Sequence, residues 1–339
     1  MGNGLIEHIE HIQKEIGFSG SLMVKQKGKV LAQSGFSYAN RSDEIKNEIA
    51  TRYGIASGCK IFTAVAICRL VEEGKLSFDT KLKECLDIPF PKFDENITIH
   101  HLLTHTSGIP DYFDEETMTD YEELWIDRPM YHMRRLHDFL PLFQHAQMKY
   151  SPGEKFHYNN AGFIVLGLII EKVSGLLFKD YVQKHVFEKA GMAYSGYFAL
   201  DSLPEKTAIG YIEHEDGTWK TNMYSLPIQG GSDGGAFVTV GDMLKFWDAL
   251  MNNVLLSESL TKTLLTPHVK EEADDFYGYG VWMKKKGDTI LKYHVMGYDP
   301  GISFHSALYP EMDTQLAVCA NISSGAYKIM NEIEKRLYK

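Results

Sequence analysis

Strand-like patterns occupy both ends of this 339-residue chain, and helical patterns fill its middle. Near the start, two alternating runs at 21–26 and 29–33 flank Lys27-Gly28, which predicts a β-hairpin. Near the end, four further strand candidates occur at 279–285, 289–295, 302–309 and 314–320. Because strands from both ends can complete one antiparallel sheet, this distribution predicts an α+β protein whose sheet domain is discontinuous in sequence.

Helices are predicted on both sides of these strands. Apolar residues at helical spacing over 5–16 and 326–338 predict one helix at each end of the chain. The helical patterns of the middle are 61–73, 161–173, 181–190 and 242–251. We therefore predict a sheet domain made of residues 1–60 together with 225–339, flanked by the N- and C-terminal helices, and a helix-rich domain made of residues 61–224.

The bulk composition excludes several classes of function. A net charge of −10 argues against nucleic acid as a partner, because phosphate binding requires clustered Lys and Arg. The chain contains no apolar run long enough to span a bilayer, and its start lacks the features of a signal peptide, so a cytoplasmic protein is expected. Its four cysteines show no metal-ligand spacing and are expected to be free thiols. Nothing in the composition indicates an oligomeric state.

Ser57 and Lys60 lie three residues apart, where the apolar run 57–67 begins. If this run is a helix, the hydroxyl and the amine share one face of its first turn. A serine is a weak nucleophile until a neighbour takes its proton, and a lysine can do so when its surroundings depress its pKa. The pair is therefore a candidate nucleophile and base, although a helix cap and a surface lysine would give the same pattern.

Tyr158 and Asn160 form a second candidate pair. They follow the turn at 151–153 and precede the helical pattern at 161–173. Residues two apart in an extended segment point the same way, so both side chains could face one cleft. The alternatives are a core aromatic residue for Tyr158 and a helix cap for Asn160.

Four segments together resemble the serine β-lactamase and penicillin-binding-protein family, in its class C and D-alanyl-D-alanine carboxypeptidase branch. They are Ser57-Gly58-Cys59-Lys60 as S-x-x-K, Tyr158-Asn159-Asn160 as Y-x-N, 102–108 as L-L-T-H-T-S-G, and 234–239 before a helical pattern. The resemblance covers nearly the whole chain and implies the β-lactamase/transpeptidase-like fold. It implies a serine hydrolase that acts on an amide, ester or β-lactam carbonyl of a small-molecule or peptide substrate, through an acyl-enzyme and without a metal or organic cofactor.

The resemblance also implies a role for each matching residue. Ser57 would attack the carbonyl, while Lys60 and Tyr158 exchange its proton and deliver it to the leaving group. Asn160 would hold Lys60 and contact the substrate amide. The backbone N–H groups of Ser57 and of Tyr298, which follows Gly297 in the third motif, would bind the oxyanion.

The third motif departs from the family pattern. Aligning 297–301 with the family's G-x-x-P-G places Val295-Met296-Gly297 where K-T-G or H-x-G is expected. His294 lies one residue earlier, so either a bulge restores it to the cleft or the role is lost. Without that cation, recognition of a substrate carboxylate is weakened. An acylated sensor, a pseudoenzyme, and an esterase or D-amino-acid peptidase with the same machinery therefore remain alternatives.

Other patterns have both a structural and a functional interpretation. Residues 230–234 match G-x-S-x-G without the strand-turn-helix context of a hydrolase nucleophile, although the loop could still line the cleft. His101 and His105 have metal-ligand spacing, but a structural role is favoured. The acidic segment 111–123, with seven carboxylates, and the acidic segment 271–275 are expected to be solvated surface loops. Aromatic residues in and after the first of these could form a lid over the site or a surface flap: Tyr112, Tyr121, Trp125 and Tyr131.

Overall fold

The computed structural model describes residues 2–338 and contains one large antiparallel sheet. Its eight strands are β1 Gly20–Gln26, β2 Lys29–Phe36, β3 Val269–Glu272, β4 Asp275–Tyr277, β5 Trp282–Lys286, β6 Thr289–Asp299, β7 Ile302–Tyr309 and β8 Thr314–Ala320. Their spatial order is β2-β1-β8-β7-β6-β5-β4-β3. The N-terminal hairpin joins the C-terminal strands where β1 pairs with β8, from Gly20↔Ala320 to Gln26↔Thr314. The predicted α+β class and the shared sheet are confirmed.

Helices account for most of the remaining regular structure. The longer ones are α1 Gly2–Ile16, α2 Lys60–Glu72, α3 Asn160–Ser174, α4 Val240–Met251 and α5 Ala326–Leu337. Shorter helical segments are Ala56–Cys59, Leu82–Cys85, Ile99–Leu103, Tyr121–Trp125, Met130–His132, Leu136–Leu142, Phe178–Val182, Gln183–Phe187, Glu188–Ala190, Asn222–Tyr224, Glu258–Leu264 and Pro310–Met312. Three small strand pairs join Tyr38–Asn40 to Ile45–Lys46, Tyr53–Gly54 to Phe237–Val238, and Tyr211–Glu213 to Trp219–Thr221. Within residues 2–338, no single helix has the length and hydrophobicity needed to cross a membrane.

The large sheet is covered on both faces. In β8, Leu316 and Val318 pack with α1 and α5, whereas Ala317 and Cys319 belong to the core around α2. Successive side chains of a strand point to opposite faces, so this division places one helical layer on each side of the sheet. Every residue of β7 and β8 is buried as a result, which explains their near-continuous apolar sequences.

Two predictions at the far edge of the sheet are wrong in detail. The strand predicted from residue 279 begins at Trp282, because Gly278 N–H donates to the carbonyl of Val281 and Gly280 has a φ of 69°. The acidic segment 271–275, predicted as a loop, contains the end of β3, the turn and the start of β4. Charged side chains are common on such exposed edge strands, because they discourage pairing with other chains.

The four cysteines are free thiols, as predicted, and the structure shows that all four are buried. The division into two domains stays a prediction, and its terminal residues Met1 and Lys339 lie outside the described residues.

Candidate active site

Ser57 and Lys60 lie where the helical turn Ala56–Cys59 continues into α2. Ala56 has a left-handed backbone conformation with a φ of 46°, so the chain turns sharply just before the serine. Ser57 is partly exposed and lines a large cavity, whereas Lys60 is 2% exposed. The turn therefore presents the hydroxyl to the cavity and encloses the amine beneath it.

Three acceptors surround the side-chain nitrogen of Lys60. Nζ donates to Ser57 Oγ at 2.9 Å, to Asn160 Oδ1 at 2.8 Å and to the backbone carbonyl of Asp233 at 2.7 Å. Nζ also lies 4.9 Å from the ring centroid of Tyr158. These contacts bring together the four residues that the S-x-x-K and Y-x-N segments predict for one site.

Tyr158 lines the same cavity as Ser57, and its ring lies beside the side-chain nitrogen of Lys60. Burial, reinforced by the negative charge of Glu115, raises the pKa of Tyr158 well above its ordinary value. The phenol is therefore neutral in the resting enzyme. In that form it can donate a proton to a leaving group.

His105 fixes the segment that carries Tyr158. Its Nδ1 accepts from the N–H of Asn159 at 3.1 Å, and its Nε2 lies 3.1 Å from the hydroxyl of Tyr277. Burial lowers the pKa of His105 well below its ordinary value, so the ring is neutral and carries its proton on Nε2. His101 Nδ1 accepts from the N–H of Thr98 at 3.2 Å. Both histidines thus have the structural role that was predicted for them.

Asp111 orients Asn160, although nothing in the sequence distinguishes it from the other carboxylates of its acidic segment. Its Oδ2 accepts from the backbone N–H of Asn160 at 2.8 Å and from Asn160 Nδ2 at 3.3 Å, while Oδ1 accepts from Ala161 N–H at 2.8 Å. Because Nδ2 is turned to Asp111, Oδ1 of Asn160 faces Lys60. The cap of α3 is Asn159, whose side chain accepts from Gly162 N–H at 2.7 Å. The alternative interpretation of Asn160 as the cap is wrong.

Replacing Asp111 with asparagine is expected to lower kcat/KM by about 10- to 100-fold, because the Asn160 amide loses the partner that fixes its orientation toward Lys60. The new amide group faces three backbone N–H donors, those of Tyr112, Asn160 and Ala161, so a loss of about 1–3 kcal/mol in the free energy of unfolding is also expected. Steady-state kinetics and thermal unfolding check both effects. Asp127→Asn, an exposed neighbour outside the cavity, is the matched control. Unchanged kcat/KM in the Asp111 variant would remove its positioning role.

The second predicted oxyanion donor lies on β6. Asp299 pairs with Ile302 to close the hairpin between β6 and β7, and successive residues of an antiparallel strand direct their N–H groups to opposite edges. The N–H of Tyr298 therefore points away from β7, toward the edge occupied by Ser57. A Cβ at Gly297 would lie 2.1 Å from the carbonyl oxygen of Ile55 and 2.9 Å from the nitrogen of Ser57. The backbones of β6 and the serine turn are thus in direct contact, which places both donors at one point of the cavity wall.

Gly297→Ala is expected to slow acylation by about 100-fold, because the added methyl group must separate β6 from the serine turn and so displace the two oxyanion donors. The same overpacking should lower the free energy of unfolding by about 1–3 kcal/mol. Stopped-flow acylation and chemical denaturation measure these effects. Gly4→Ala in α1, where a Cβ meets no atom within 4 Å, is the control. Wild-type acylation in the Gly297 variant would contradict the close packing described here.

His294 does not reach the cavity. The pairing of β6 with β7 is regular from Tyr293↔Leu308 to Asp299↔Ile302, so no bulge changes the direction of its side chain. His294 lies opposite Ala307, which packs with α1 and α5 on the face away from Ser57. The substrate-binding role predicted for His294 is therefore wrong, because a one-residue offset in a regular strand reverses the side chain. Val295, at the position of the family's cation, is 2% exposed and belongs to the core around α2.

The cavity has a volume of about 1280 Å³, and Ser57, Tyr158, Asn160, Gly297 and Tyr298 all line it. The glycine-rich loop at 230–235 forms part of its wall, as the sequence allowed. Ser232 in that loop is fully buried, which excludes it as an accessible nucleophile.

The acidic segment 111–123 forms another wall of this cavity, so its prediction as a solvated loop is wrong. Tyr112 is 5% exposed and donates a hydrogen bond to the carboxylate of Asp233, which ties the segment to the glycine-rich loop. Tyr121 also lines the cavity, whereas Tyr131 is 52% exposed and lies outside it. Trp125 is buried and donates from Nε1 to the carbonyl of Ser225 at 3.0 Å. Tyr112 and Tyr121 therefore belong to the cavity wall, whereas Trp125 and Tyr131 do not line the cavity.

Asp114, Glu116 and His157 place one potential metal ligand each within 4.8 Å of the others. Lys149 forms an ion pair with Asp114 and lies 3.3 Å from His157 Nε2. Its ammonium group already supplies the positive charge that a cation would bring. We therefore interpret this cluster as an ion-pair network at the rim of the cavity.

Comparisons with known proteins agree on one family. The family model described as Beta-lactamase matches residues 5–337. The crystal structure of a penicillin-binding protein from Bacillus halodurans is 61% identical, with a TM-score of 0.94, and the match covers 97% of this chain and 99% of that chain. An octameric penicillin-binding protein homologue from Pyrococcus abyssi is 29% identical, with a TM-score of 0.86, over 100% of this chain and 78% of that chain.

A further relative is penicillin-binding protein 4* of Bacillus subtilis, which is 27% identical over 292 residues. The match covers 81% of this chain and 62% of that protein, so this chain matches less than two thirds of the length of that relative. The solved structures share the β-lactamase/transpeptidase-like fold over nearly all of this chain, as the four motif segments implied.

Proposed function

Because the chain belongs to the beta-lactamase family and is a serine hydrolase, we propose that Ser57, Lys60 and Tyr158 perform its reaction, with Ser57 as the nucleophile. One observation carries this proposal. Lys60 Nζ lies 2.9 Å from Ser57 Oγ, and the serine faces an open cavity that Tyr158 also lines. Nucleophile, base and acid are therefore within reach of one bound carbonyl group.

In the acylation step, Lys60 in its amine form takes the proton of Ser57 while Oγ attacks the carbonyl carbon. The N–H groups of Ser57 and Tyr298 stabilise the oxyanion of the tetrahedral intermediate. Collapse of this intermediate breaks the bond to the leaving group, which takes a proton from Tyr158. Lys60 then returns a proton to Tyr158, so the proton lost by the serine ends on the leaving group.

Hydrolysis of the acyl-enzyme uses the same groups in reverse. A water molecule on the cavity side loses a proton to the Lys60 and Tyr158 pair and attacks the ester carbonyl. The released Oγ of Ser57 recovers a proton from that pair. Because the two groups exchange protons through one site, their pH dependence belongs to the pair and not to either residue alone.

Amides and esters without a carboxylate fit this site better than penicillin-like compounds. The position of the family's third-motif cation is occupied by Val295, which is buried in the core, and His294 lies on the other face of the sheet. A substrate carboxylate therefore loses a charged partner next to the oxyanion donors. This supports an esterase or amino-acyl peptidase activity over β-lactam hydrolysis.

The experiment is to mix the protein with benzylpenicillin or a reactive acyl phosphonate and to follow the intact mass over time. We expect a covalent adduct that peptide mapping places on Ser57. A short-lived penicillin adduct identifies a hydrolase and a lasting one identifies a sensor. Turnover of p-nitrophenyl esters, compared with nitrocefin in parallel, then ranks the substrate classes. No adduct with either reagent and no ester turnover would refute the proposal in favour of a pseudoenzyme.

A further inference from the structure

We infer that Asp299 binds an ammonium group of the substrate, so that the preferred substrates are acyl donors with a free amine next to the scissile carbonyl, as in α-aminoacyl amides and esters. This inference rests on the proposed function of Ser57. It concerns the charge of the substrate and adds a residue that determines specificity.

The charge of the cavity is strongly asymmetric. Eight carboxylates line it against two lysines, Lys155 and Lys270. Lys155 is exposed and lies 3.9 Å from the ring centroid of Tyr150, so it is already engaged at the rim. Lys60 lies beneath the cavity, where its nitrogen has three acceptors of its own. The open part of the cavity therefore attracts cations and repels anions.

Asp299 is the carboxylate placed closest in sequence to the oxyanion donors. It follows Tyr298 directly, and consecutive Cα atoms are about 3.8 Å apart. Its side chain lines the cavity and is only partly exposed. Among the hydrogen bonds and ion pairs of residues 2–338, Asp299 has no side-chain partner. A carboxylate that is half-removed from water and unpaired favours a cationic ligand.

The surroundings of Asp299 disfavour its charge as long as no cation is bound. Burial, with the neighbouring charges of Asp233 and Glu115, raises the pKa of Asp299 to about 8, against the opposing effect of Lys60, so binding of an ammonium group ionises the carboxyl and releases its proton to solvent. An ammonium group bound at Asp299 would favour the ionised carboxylate, and the negative charge of Glu115, which lines the same cavity, would add to the attraction. The positive charge of the ammonium group would partly offset the excess of carboxylates over lysines in the cavity lining.

In the family pattern that this chain resembles, the same wall of the cavity carries a positive charge. There a Lys or His of the third motif assists a substrate carboxylate, whereas this chain places Val295 at that position and Asp299 four residues later. The valine removes attraction for anions, and Asp299, at an unspecified position of the G-x-x-P-G pattern, contributes attraction for cations. Since the α-amine of an aminoacyl group is separated from the carbonyl carbon by a single carbon, a carboxylate beside the oxyanion donors is within reach of it.

The test compares matched substrates in the wild-type protein and in Asp299→Asn. The substrates are alanine p-nitroanilide as both enantiomers, N-acetylalanine p-nitroanilide, and p-nitrophenyl butyrate as a neutral ester. Asp299→Asn is expected to lower kcat/KM for the better alanine p-nitroanilide by at least about 30-fold, because one partner of a desolvated charge pair is lost. Turnover of the neutral ester should change less than about threefold, which shows that the variant is folded and competent.

Asp288→Asn is the matched control, since it removes the same charge from an exposed turn between β5 and β6 outside the cavity. Equal kcat/KM for free and N-acetylated alanine p-nitroanilide in the wild type, or an equal loss on all substrates in Asp299→Asn, overturns the inference. In either case the wild-type protein still turns over the neutral ester and is still acylated at Ser57. Failure of the proposed function would instead remove both, so the two failures are distinguishable.

Discussion

Replacing Ser57 with alanine is expected to reduce ester and amide turnover by about 10⁴- to 10⁶-fold, because no other group can form the acyl-enzyme. Ser57 is the partly exposed hydroxyl that receives a hydrogen bond from Lys60 at 2.9 Å. Ser232, the serine of the glycine-rich loop, is fully buried and cannot take its place. Covalent labelling by penicillin or phosphonate should disappear together with turnover. Burst kinetics and intact-mass measurement check these results.

The fold should tolerate this substitution, because the side chain faces a cavity and alanine fits the same backbone. Because Lys60 Nζ loses one of its three acceptors, a loss of about 1 kcal/mol in the free energy of unfolding is expected, which thermal unfolding should show as a fall of about 2–4 °C in Tm. Retained turnover in a folded Ser57→Ala protein would exclude Ser57 as the nucleophile. A non-covalent mechanism in the same cavity would then be the explanation to test.

Lys60→Met is expected to slow acylation by about 10³- to 10⁴-fold, because general base catalysis by the buried amine is lost. Methionine approximates the length of the lysine stem and fills most of its volume, so the core around α2 stays packed. The amide oxygen of Asn160 and the carbonyl of Asp233 each lose a donor. Their loss should lower the free energy of unfolding by about 1–3 kcal/mol. Single-turnover acylation and denaturant unfolding separate the two effects.

Lys286→Met, on an exposed position of β5, is the control for loss of a lysine charge. The Lys60 variant should still bind substrate, because Lys60 is not among the residues that line the cavity. The substitution therefore acts on the acylation rate and not on KM. A variant that acylates at the wild-type rate would assign the base function to another group, with Tyr158 as the first to test.

Much of the architecture follows from periodicity alone. β7 and β8 begin and end where their apolar runs do, and the N-terminal hairpin is centred on Lys27-Gly28. These elements are predictable because each pattern reports local burial, which depends on a few neighbouring residues. The Ser57 and Lys60 pair is predictable for the same reason, since one helical turn fixes their relative positions.

Features that depend on tertiary contacts were not predictable in this way. Asp111 is one of seven carboxylates in its segment. Only its contact with the first residues of α3 identifies it as the partner of Asn160. The acidic segment lines the cavity because Tyr112 is bonded to Asp233, 121 residues later. The side chain of His294 faces the cavity only if β6 contains a bulge. The sequence does not determine strand register at a single position, so this could not be predicted. In each case the deciding partner is remote in sequence.

The pairing of β1 with β8 has a consequence for biosynthesis. Gly20 pairs with Ala320, 300 residues later, so β1 cannot complete this pairing until β8 has been translated. Such pairings raise the contact order and slow folding, because a long loop must close before the contact forms. The nascent N-terminal hairpin therefore stays incompletely covered until residues 314–320 have been translated. Deletions near the C-terminus should destabilise the whole protein, and not only its last helix.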